Sequence, residues 1–446
     1  RITTFGESHG VALGVVIDGV RPGIKVELDQ IQEALDRRRP GTSRLTSPRK
    51  EGDRLEVLSG LFEGKTTGAP IAFLVRNKDA RPGHYEEIKD VFRPGHADFT
   101  WWRKFGIRDW RGGGRTSGRE TVARVAAGAL AQQILARVGV RITGHVISVG
   151  EVDATRFVPE FIDQNDVRCA DPDRAQAMWD TIEAARKDGD SVGGVVEVRV
   201  EGAPAGWGDP VFMKVDAMLA SALMSIGAVK GVEIGDGFGL TRSRGSQTND
   251  AMSTDGFLSN HMGGVLGGIT NGQEIVVRAA VKPTSSIRHE QSTIDQDGNP
   301  RTIVVRGRHD PCICIRVVPV AEAMVALVLC DAYLRQLAIT EGPGEPSHRA
   351  AELAHCDFQI LRWIDRRRGL ATAAVPGEIA RELDEEVRAS RQRLGTEAGF
   401  PDAYLAELFR VVDEAPDPDP GGGTPASGVA PMEEGSAMGG DPRGGE

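Results

Sequence analysis

Glycine is the feature of this sequence that most restricts its fold. The 446-residue chain contains 56 glycines and 24 prolines, while only 5% of its residues are aromatic. Glycine permits positive backbone φ angles and the close approach of two chain segments, and both residue types punctuate helices and strands. We therefore expect many short elements joined by tight turns rather than a simple helical bundle. With 40% hydrophobic residues, the chain can still bury a sizeable core.

Strand and helix patterns are interleaved over residues 1–340. Clusters of β-branched residues between glycine or proline predict strands at Gly14–Ile17, Ala72–Val75, Gly194–Val200, Glu274–Val281 and Ile313–Val317. The spacing of apolar residues predicts helices at Leu28–Arg38, Arg119–Val138, Val215–Ser225 and Ala321–Gln336. This mixture favours an α/β or α+β domain over residues 1–340.

The composition changes after residue 340. Residues 341–347 are rich in Gly and Pro and are predicted to form a linker. Residues 348–412 carry amphipathic helical patterns, which predict a small all-α extension. Residues 413–446 contain too few apolar side chains to offset the entropy of ordering, so we expect a disordered tail.

The net charge of −10 argues against a nucleic-acid-binding function, which depends on positive charge. The sequence shows no uninterrupted apolar run of about 18 residues and no signal-peptide pattern, so we expect no membrane span. The five cysteines lack the paired spacing of a zinc site, which predicts free thiols in a reducing cytoplasm and no metal. Because Arg1 opens inside a strand-like segment, we expect a few residues to precede it.

Two arginine-rich segments contrast with the acidic total charge. Residues 37–50 and 93–119 place arginines beside Gly, Pro, Ser and Thr, in RRRPGTSR, FRPGHAD and RGGGRTSGRE. Guanidinium groups bind phosphates and carboxylates through paired hydrogen bonds. A solvated basic face explains any single arginine equally well, but two such clusters favour an anion site.

The glycine run before residue 119 allows two interpretations. Thr116 or Ser117 is expected to cap the following helix, and the amides of Gly113–Ser117 would then face a phosphate. An ordinary capped helix with a flexible lead-in is the alternative. KPTSS at 282–286 similarly offers one cation and three hydroxyls to a phosphate, or else ends a strand.

Three histidines lie in polar loops, namely His9, His96 and His309. Histidine donates or accepts a proton near neutral pH, although a structural role is the commoner explanation of a lone histidine. Asp310 follows His309. Beside Arg308 its carboxylate is expected to stay ionised and available as a base, with a turn cap as the alternative.

Eight segments, taken together and in order, resemble chorismate synthases over about residues 1–336. Their sequences are GESHG, RRRPGTSR, FRPGHAD, RGGGRTSGRETVARVAAGA, KGVEIGDGF, SNHMGGVLGGITNG, KPTSSI and GRHDPC. The resemblance implies a β-α-β sandwich of the α+β class that assembles as a cytoplasmic homotetramer. It implies a lyase of the shikimate pathway that binds reduced FMN and eliminates phosphate from 5-enolpyruvylshikimate 3-phosphate to give chorismate. NADPH is implied only as an indirect reductant, through a separate flavin reductase.

The resemblance also implies roles for individual residues. His9 and His96 would donate protons, and Asp310, supported by Ser8 and Ser117, would assist removal of the C6 proton. The anionic groups of the substrate would be bound by Arg38, Arg44, Arg93 and Arg119. FMN would contact Arg115, Thr116, Ser117, Gly227, Ala228, Gly267, Lys282, Pro283, Thr284, Ser285, Ser286 and Arg308. Many family members have Asn where this chain has Gly227, so one side-chain contact with the flavin is expected to be lost.

The C-terminal extension resembles the small all-helical chorismate mutases. Asp357–Ala371 is similar to their first helix, with Arg367 at the position of a substrate-binding arginine, and Pro401–Val412 is similar to their last. The resemblance is partial, because Ala380 stands where a lysine is expected. A bifunctional synthase–mutase is one hypothesis, and a structural appendage is the favoured alternative.

A further hypothesis, from a different class, is a catalytically silent protein that binds FMN or a phosphorylated ligand, or a regulator that acts through the C-terminal helices. The joint presence of His9, His96, Arg308 and Asp310 argues against it.

Overall fold

The computed structural model describes residues 1–41, 43–47, 51–79, 82–254, 256–305, 307 and 309–340. These residues belong to the first of two units into which the chain divides, Arg1–Gly342. The predicted linker, helical extension and tail at 341–446 lie outside the described residues, and so do Arg308 and Arg367.

Helices and strands are mixed along the described residues, which confirms the α+β class. The strands are β1 (Ile2–Gly6), β2 (Ala12–Ile17), β3 (Leu55–Ser59), β4 (Leu61–Phe62), β5 (Lys65–Thr66), β6 (Ile71–Arg76), β7 (Arg141–Val149), β8 (Val152–Asp153), β9 (Gly194–Glu201), β10 (Val229–Ile234), β11 (Met252–Ser253), β12 (Gly256–Phe257), β13 (Val265–Leu266), β14 (Ile269–Thr270), β15 (Ile275–Val281), β16 (Gln291–Ile294) and β17 (Pro300–Ile303). The α-helices are α1 (Leu28–Arg38), α2 (Asp98–Phe105), α3 (Thr121–Ala136), α4 (Ala175–Asp188), α5 (Val215–Met224), α6 (Gly245–Thr248) and α7 (Cys314–Thr340).

Two antiparallel sheets enclose a helical layer. The first sheet has the strand order β1-β2-β6-β3, and the second has the order β10-β15-β9-β7-β8. Helix α3 packs on β2 and β6 of the first sheet, whereas α7 packs on β7 and β9 of the second. The two helices also pack on each other, so the order of layers is the β-α-β sandwich that the resemblance implied.

The crossing of α3 and α7 depends on a glycine. A Cβ atom added to Gly128 of α3 would overlap the Cα and Cβ of Ala323 in α7 and lie 2.8 Å from its carbonyl oxygen. Ala127 and Ala129 beside Gly128 are buried as well. Small side chains at this point let the two helix axes approach closely, which sets the thickness of the core.

Helix α1 begins and ends where its apolar spacing predicted. Its buried face consists of Ile31, Leu35 and Arg38, which are spaced by four and three residues and so lie on one side of the helix. The predictions for α3 and α5 were also correct in type, with ends that differ by one or two residues.

The strand predicted at Ile313–Val317 was wrong, because α7 begins at Cys314 and continues to Thr340. A short β-branched run cannot be distinguished from a buried helix by periodicity. Here Cys314, Ile315 and Val317 are buried in the first turns of α7, while Ile313 and Arg316 are half-buried. The expectation that no segment is long and apolar enough to span a membrane also needs correction. By length and composition α7 could cross a membrane, but 72% of its most apolar window is buried inside the protein, as in the core helix of a soluble fold.

The four cysteines in the described residues are free, as predicted. They are Cys169, Cys312, Cys314 and Cys330, and all four are buried. Burial raises the pKa of Cys330 to about 12, so its thiol stays protonated at neutral pH.

We expect the substitution Gly128→Ala to lower the free energy of unfolding by about 1–3 kcal/mol, because the added methyl group forces α3 and α7 apart. Urea denaturation followed by circular dichroism measures the change. Gly245→Ala is the matched control, since the nearest atom to its added Cβ is 4.0 Å away. Equal stability of the two variants would show that the crossing tolerates a wider spacing.

Candidate active site

Three helix ends converge at one edge of the helical layer. Arg38 is the last residue of α1, Thr121 is the first residue of α3, and Arg316 lies in the first turn of α7. Arg38 Nη1 donates to Thr121 Oγ1 at 3.2 Å, and Arg316 Nε donates to the carbonyl of Arg38 at 3.3 Å. The sequence places these residues far apart, so only the packing of the helices brings their charges together.

A buried carboxylate, Asp53, lies between two of the predicted anion-binding arginines. Its Oδ2 accepts a hydrogen bond from Arg38 Nη2 at 2.7 Å, and its Oδ1 accepts one from Arg119 Nη1. Arg38 and Asp53 side chains are 0% exposed, and that of Arg119 is 2% exposed. Burial alone would raise the pKa of Asp53, but the two guanidinium groups together hold it below its usual value.

The two arginines retain donors that no described residue satisfies. Nε of Arg38 and Nη2 of Arg119 are buried without a hydrogen-bond acceptor among the described residues, although Nη2 of Arg119 lies 3.7 Å from the buried carboxylate of Glu51. Burial lowers the pKa of Arg38 to about 10, which still leaves the group charged at neutral pH. Arg38 is enclosed and occupied by Asp53, however, so its predicted role as a direct ligand of the substrate stays a prediction.

A second buried carboxylate, Asp98, holds the predicted site residues Arg93 and His96. Arg93 donates to it twice, from Nε at 2.7 Å and from Nη2 at 3.0 Å, while Arg108 approaches at 3.5 Å. His96 Nδ1 lies 3.0 Å from Asp98 Oδ1. Burial would raise the pKa of Asp98, but these hydrogen bonds and cations hold it far below its usual range.

His96 is nearly buried between opposing charges. Burial lowers the pKa of its ring below the usual value, against the hydrogen bond to Asp98, which raises it. Arg93 Nη2 also lies 3.1 Å from Nδ1. The contact with Asp98 favours a proton on Nδ1 and the contact with Arg93 disfavours one, so the protonation of this ring responds to small movements of its neighbours.

The glycine run links the two histidines. A Cβ atom on Gly112 would overlap the ring of His9 and lie 3.2 Å from Ser8 Oγ, while one on Gly113 would lie 3.1 Å from both His96 Cε1 and Arg93 Nη2. Both glycines have positive φ angles, +64° and +85°. The loop therefore passes between the two predicted proton donors at a distance that only glycine allows.

Asp310 is paired with Arg316, a residue that the sequence analysis did not single out. Its Oδ2 accepts from Arg316 Nη1 at 2.6 Å, and its Oδ1 accepts from the backbone of Ser47 at 2.7 Å. Its side chain is 8% exposed, so the carboxylate is buried in the cluster. The predicted partner, Arg308, lies outside the described residues.

The KPTSS segment lies against the loop that carries His96. A Cβ atom on Gly95 would lie 3.3 Å from Ser285 Cβ and 3.9 Å from Lys282 Nζ. Thr284 Oγ1 donates to the carbonyl of Asp310 at 2.8 Å. Burial, followed by the charge of Lys230, lowers the pKa of Lys282.

The remaining residues of the KPTSS segment are also packed against neighbouring loops, and residues 282–286 are called the KPTSS wall below. Pro283 packs on Gly193, and the side chain of Ser286 is buried. The backbone of Lys282 donates to the carbonyl of Ala228 at 2.9 Å, which brings Gly227 and Ala228 to the same region.

Other predicted ligands lie apart from this cluster or have structural contacts. Arg115 donates to the carbonyl of Gly6 at 3.0 Å and to Thr4 Oγ1 at 2.6 Å, so it anchors the glycine loop to β1. Gly267 lies in the β13–β14 turn at the start of α5, whereas Gly227 follows the end of that helix, about 15 Å away. Arg44 is 74% exposed and lies 3.8 Å from Glu183.

Thr116 and Ser117 organise the approach to α3. Ser117 Oγ accepts from the backbone of Arg119 at 3.3 Å, which confirms the predicted cap, although it caps the short 3-10 helix Gly118–Glu120 that precedes α3. Thr116 Oγ1 donates to the carbonyl of Gly113 at 2.7 Å and closes the glycine loop.

A cavity of about 460 Å³ adjoins the glycine loop on the side of α2. Trp101, Phe105 and Ile107 form its apolar wall, and Glu7 contributes a carboxylate. Burial, followed by the charge of Asp109, raises the pKa of Glu7. The sequence analysis did not predict this apolar wall, since nothing in the sequence of α2 indicates which face of the helix borders a cavity.

One further group of side chains is arranged as metal ligands are. Ligand atoms of Asp188, Asp190 and His289 lie within 4.8 Å of one another, and all three residues are exposed. The hydrogen bond of 3.2 Å between His289 and Asp188 already accounts for part of this proximity.

Arginines and histidines gathered at one edge of a fold are the groups with which many enzymes bind and protonate small anionic molecules. A family model described as chorismate synthase matches residues 1–334. The chain is 53% identical over 341 residues to a chorismate synthase of Chloroflexus aurantiacus, covering 75% of this chain and 94% of that protein. It is 52% identical over 344 residues to one of Syntrophus aciditrophicus, covering 76% and 97%.

A solved structure supports the same relationship. A crystal structure of chorismate synthase superposes with a TM-score of 0.61 at 32% identity, covering 76% of this chain and 92% of that one. The chain therefore belongs to the chorismate synthase family. It is a lyase of aromatic amino acid biosynthesis, with a small molecule as its substrate.

We expect Asp53→Asn to lower the free energy of unfolding by about 3–5 kcal/mol, because two buried guanidinium groups lose their shared counterion. Added phosphate should restore part of the loss by pairing with the guanidinium groups left without their counterion, as measured by thermal denaturation at several phosphate concentrations. Asp171→Asn is the control, since that buried carboxylate accepts mainly backbone amides of Thr155, Arg156 and Asp173. A phosphate effect equal in both variants would contradict the expectation.

Proposed function

We propose that this protein converts 5-enolpyruvylshikimate 3-phosphate to chorismate with reduced FMN bound beside the substrate. The observation that carries the proposal is the glycine loop at residues 112–113, which touches His9 on one side and His96 on the other. Two groups able to donate protons thus share one wall with a cluster of buried arginines. The reaction breaks the C3–O bond to phosphate and the C6–H bond, and no net oxidation occurs.

The substrate carries one phosphate and two carboxylates, so its binding requires several cations. The cluster of Arg93, Arg108 and Asp98 carries a net positive charge when His96 is neutral. Arg38 and Arg119, both buried against Asp53, are proposed to supply the further positive charge that these anions need. Preorganised guanidinium groups stabilise the charge that develops on the departing phosphate, because their orientation is fixed before the substrate binds.

The protein's own groups divide the proton transfers. Of His9 and His96, one would protonate the leaving phosphate and the other would hold a proton near the flavin. Asp310, supported by Ser8 and Ser117, would assist removal of the proton from C6. Its ion pair with Arg316 keeps it oriented through Oδ2.

The residues of the KPTSS wall fit FMN by their chemistry. Lys282 has no carboxylate partner among the described residues, and the hydroxyls of Ser285 and Ser286 lie on the same segment. An ammonium group with neighbouring hydroxyls suits a phosphate monoester. Reduced FMN supplies transient electron donation to the substrate when it is bound. The absence of a side chain at Gly227 leaves only backbone contacts there.

We further propose a cytoplasmic homotetramer that receives reduced FMN from a separate flavin reductase, with NADPH as an indirect reductant. Exposed apolar side chains support a subunit interface, since Val211 and Phe212 are 71% and 92% exposed. Light scattering coupled to size-exclusion chromatography measures the mass of the assembly.

Anaerobic incubation with 5-enolpyruvylshikimate 3-phosphate and chemically reduced FMN tests the function. We expect stoichiometric release of phosphate and chorismate, measured by absorbance and chromatography, and none with oxidised FMN. Binding of FMN without phosphate release would instead support the silent-binder hypothesis.

The same incubation tests the second candidate function, a fused chorismate mutase. The support for it is the sequence resemblance of Asp357–Ala371 and Pro401–Val412, which lie outside the described residues. Chorismate added alone should yield prephenate if the extension is active. Chorismate that persists would leave the extension as a structural appendage.

We expect Asp98→Asn to shift the pH profile of kcat. Without the carboxylate, burial and the neighbouring arginines lower the pKa of His96 further. The basic limb of the profile, where the protonated form is lost, should therefore move to lower pH. Asp209→Asn, at an exposed ion pair with Arg335, is the control. An unshifted profile with a lower rate would mean that His96 is not the titrating acid.

A further inference from the structure

The turn that carries Ser8 and His9 is held by a residue from another strand. It joins β1 to β2, and Asn77 follows the end of β6. Asn77 Nδ2 donates to the carbonyl of Glu7 at 3.0 Å and to that of Gly10 at 2.8 Å. These carbonyls stand on either side of Ser8 and His9, so one side-chain amide fixes both ends of the segment.

The other end of the same amide contacts the arginine cluster. Asn77 Oδ1 accepts a hydrogen bond from Arg119 Nε at 3.0 Å. The backbone amide of Asn77 donates to the carbonyl of Val11 at 3.1 Å, which fixes Asn77 against the turn. Arg119 Nε can only donate, and the carbonyls of Glu7 and Gly10 can only accept. The amide therefore has one orientation that satisfies every contact, and reversing it would lose all three.

We propose that Asn77 is a positioning residue of the active site, which sets the backbone of the His9 turn against the Arg119 guanidinium. The proposal rests on the roles proposed above for His9 and Arg119. Asn77 acts through these two residues rather than on the substrate. Displacement of a reacting group by about 1 Å can lower a rate about 100-fold, so a link of this kind governs turnover more than binding.

The substitution Asn77→Asp separates the two sets of hydrogen bonds, those donated to the His9 turn and the one accepted from Arg119. Aspartate keeps the size of the side chain and an acceptor for Arg119, but it cannot donate to two carbonyls and places negative charge against them. We expect kcat to fall about 100-fold and KM for 5-enolpyruvylshikimate 3-phosphate to rise by a smaller factor, because the new negative charge also lies beside Arg119. Asn77→Ala removes both sets of hydrogen bonds, and we expect it to lower kcat and raise KM.

A matched control exists at Asn165, in the loop between β8 and α4. Its side-chain amide donates to the carbonyls of Phe161 at 2.8 Å and Cys169 at 2.9 Å, as Asn77 does to its own turn. Asn165→Asp should lower the melting temperature to a similar extent without a change in kcat. Equal losses of kcat in both aspartate variants would assign the effect to general destabilisation and overturn the proposal.

A double-mutant cycle with His9→Ala shows whether Asn77 acts through His9. If it does, adding Asn77→Asp to His9→Ala should lower kcat less than about 3-fold, against about 100-fold in the wild-type background. Additive losses would overturn the proposal, as would full kcat in Asn77→Asp. Failure of the wild-type protein to release phosphate would instead refute the proposed function, so the two failures are distinguishable.

Discussion

The close crossing of α3 and α7 is the constraint on which the rest of the molecule depends. Because Gly128 has no side chain, the backbone of α7 at Ala323 lies directly against α3. Each sheet packs on one of these helices, so their spacing sets the separation of the two sheets. The segments that precede the two helices carry Ser117 and Asp310. A single point of close packing in the core therefore determines how far apart the chemically important groups lie.

The same electrostatic arrangement occurs twice in the site. Asp53 holds Arg38 and Arg119, and Asp98 holds Arg93 with Arg108 nearby. A buried cation without a partner is very costly, whereas a buried carboxylate lets the guanidinium groups beside it remain charged, with Glu51 as a second one 3.7 Å from Arg119. Positive charge is thus stored in fixed orientations before any ligand arrives, which is the condition for stabilising a departing anion without reorganising the protein.

Local patterns predicted the elements well and the connections between them poorly. The bounds of α1 follow from its apolar spacing, and the cap at Ser117 follows from the glycine run before α3. The run at Ile313–Val317 misled because this end of α7 is mostly buried, so five residues are too few to show the helical period. Asp53 and Asn77 could not be singled out, since their partner Arg119 is 66 and 42 residues away and each motif looks ordinary alone. Position in polar loops singled out the histidines, and the family resemblance supplied their roles. Only the packing shows that one loop touches both His9 and His96.

The glycine loop also limits how this enzyme can be made more stable. Exchanging glycine for alanine usually stabilises a protein by restricting the unfolded chain, provided that the folded backbone accepts a side chain. Residues 112–114 all have positive φ angles, and the first two face the histidine rings. The conformational entropy that these glycines add to the unfolded chain therefore cannot be reduced by substitution. Stabilising substitutions have to be sought elsewhere in the sandwich.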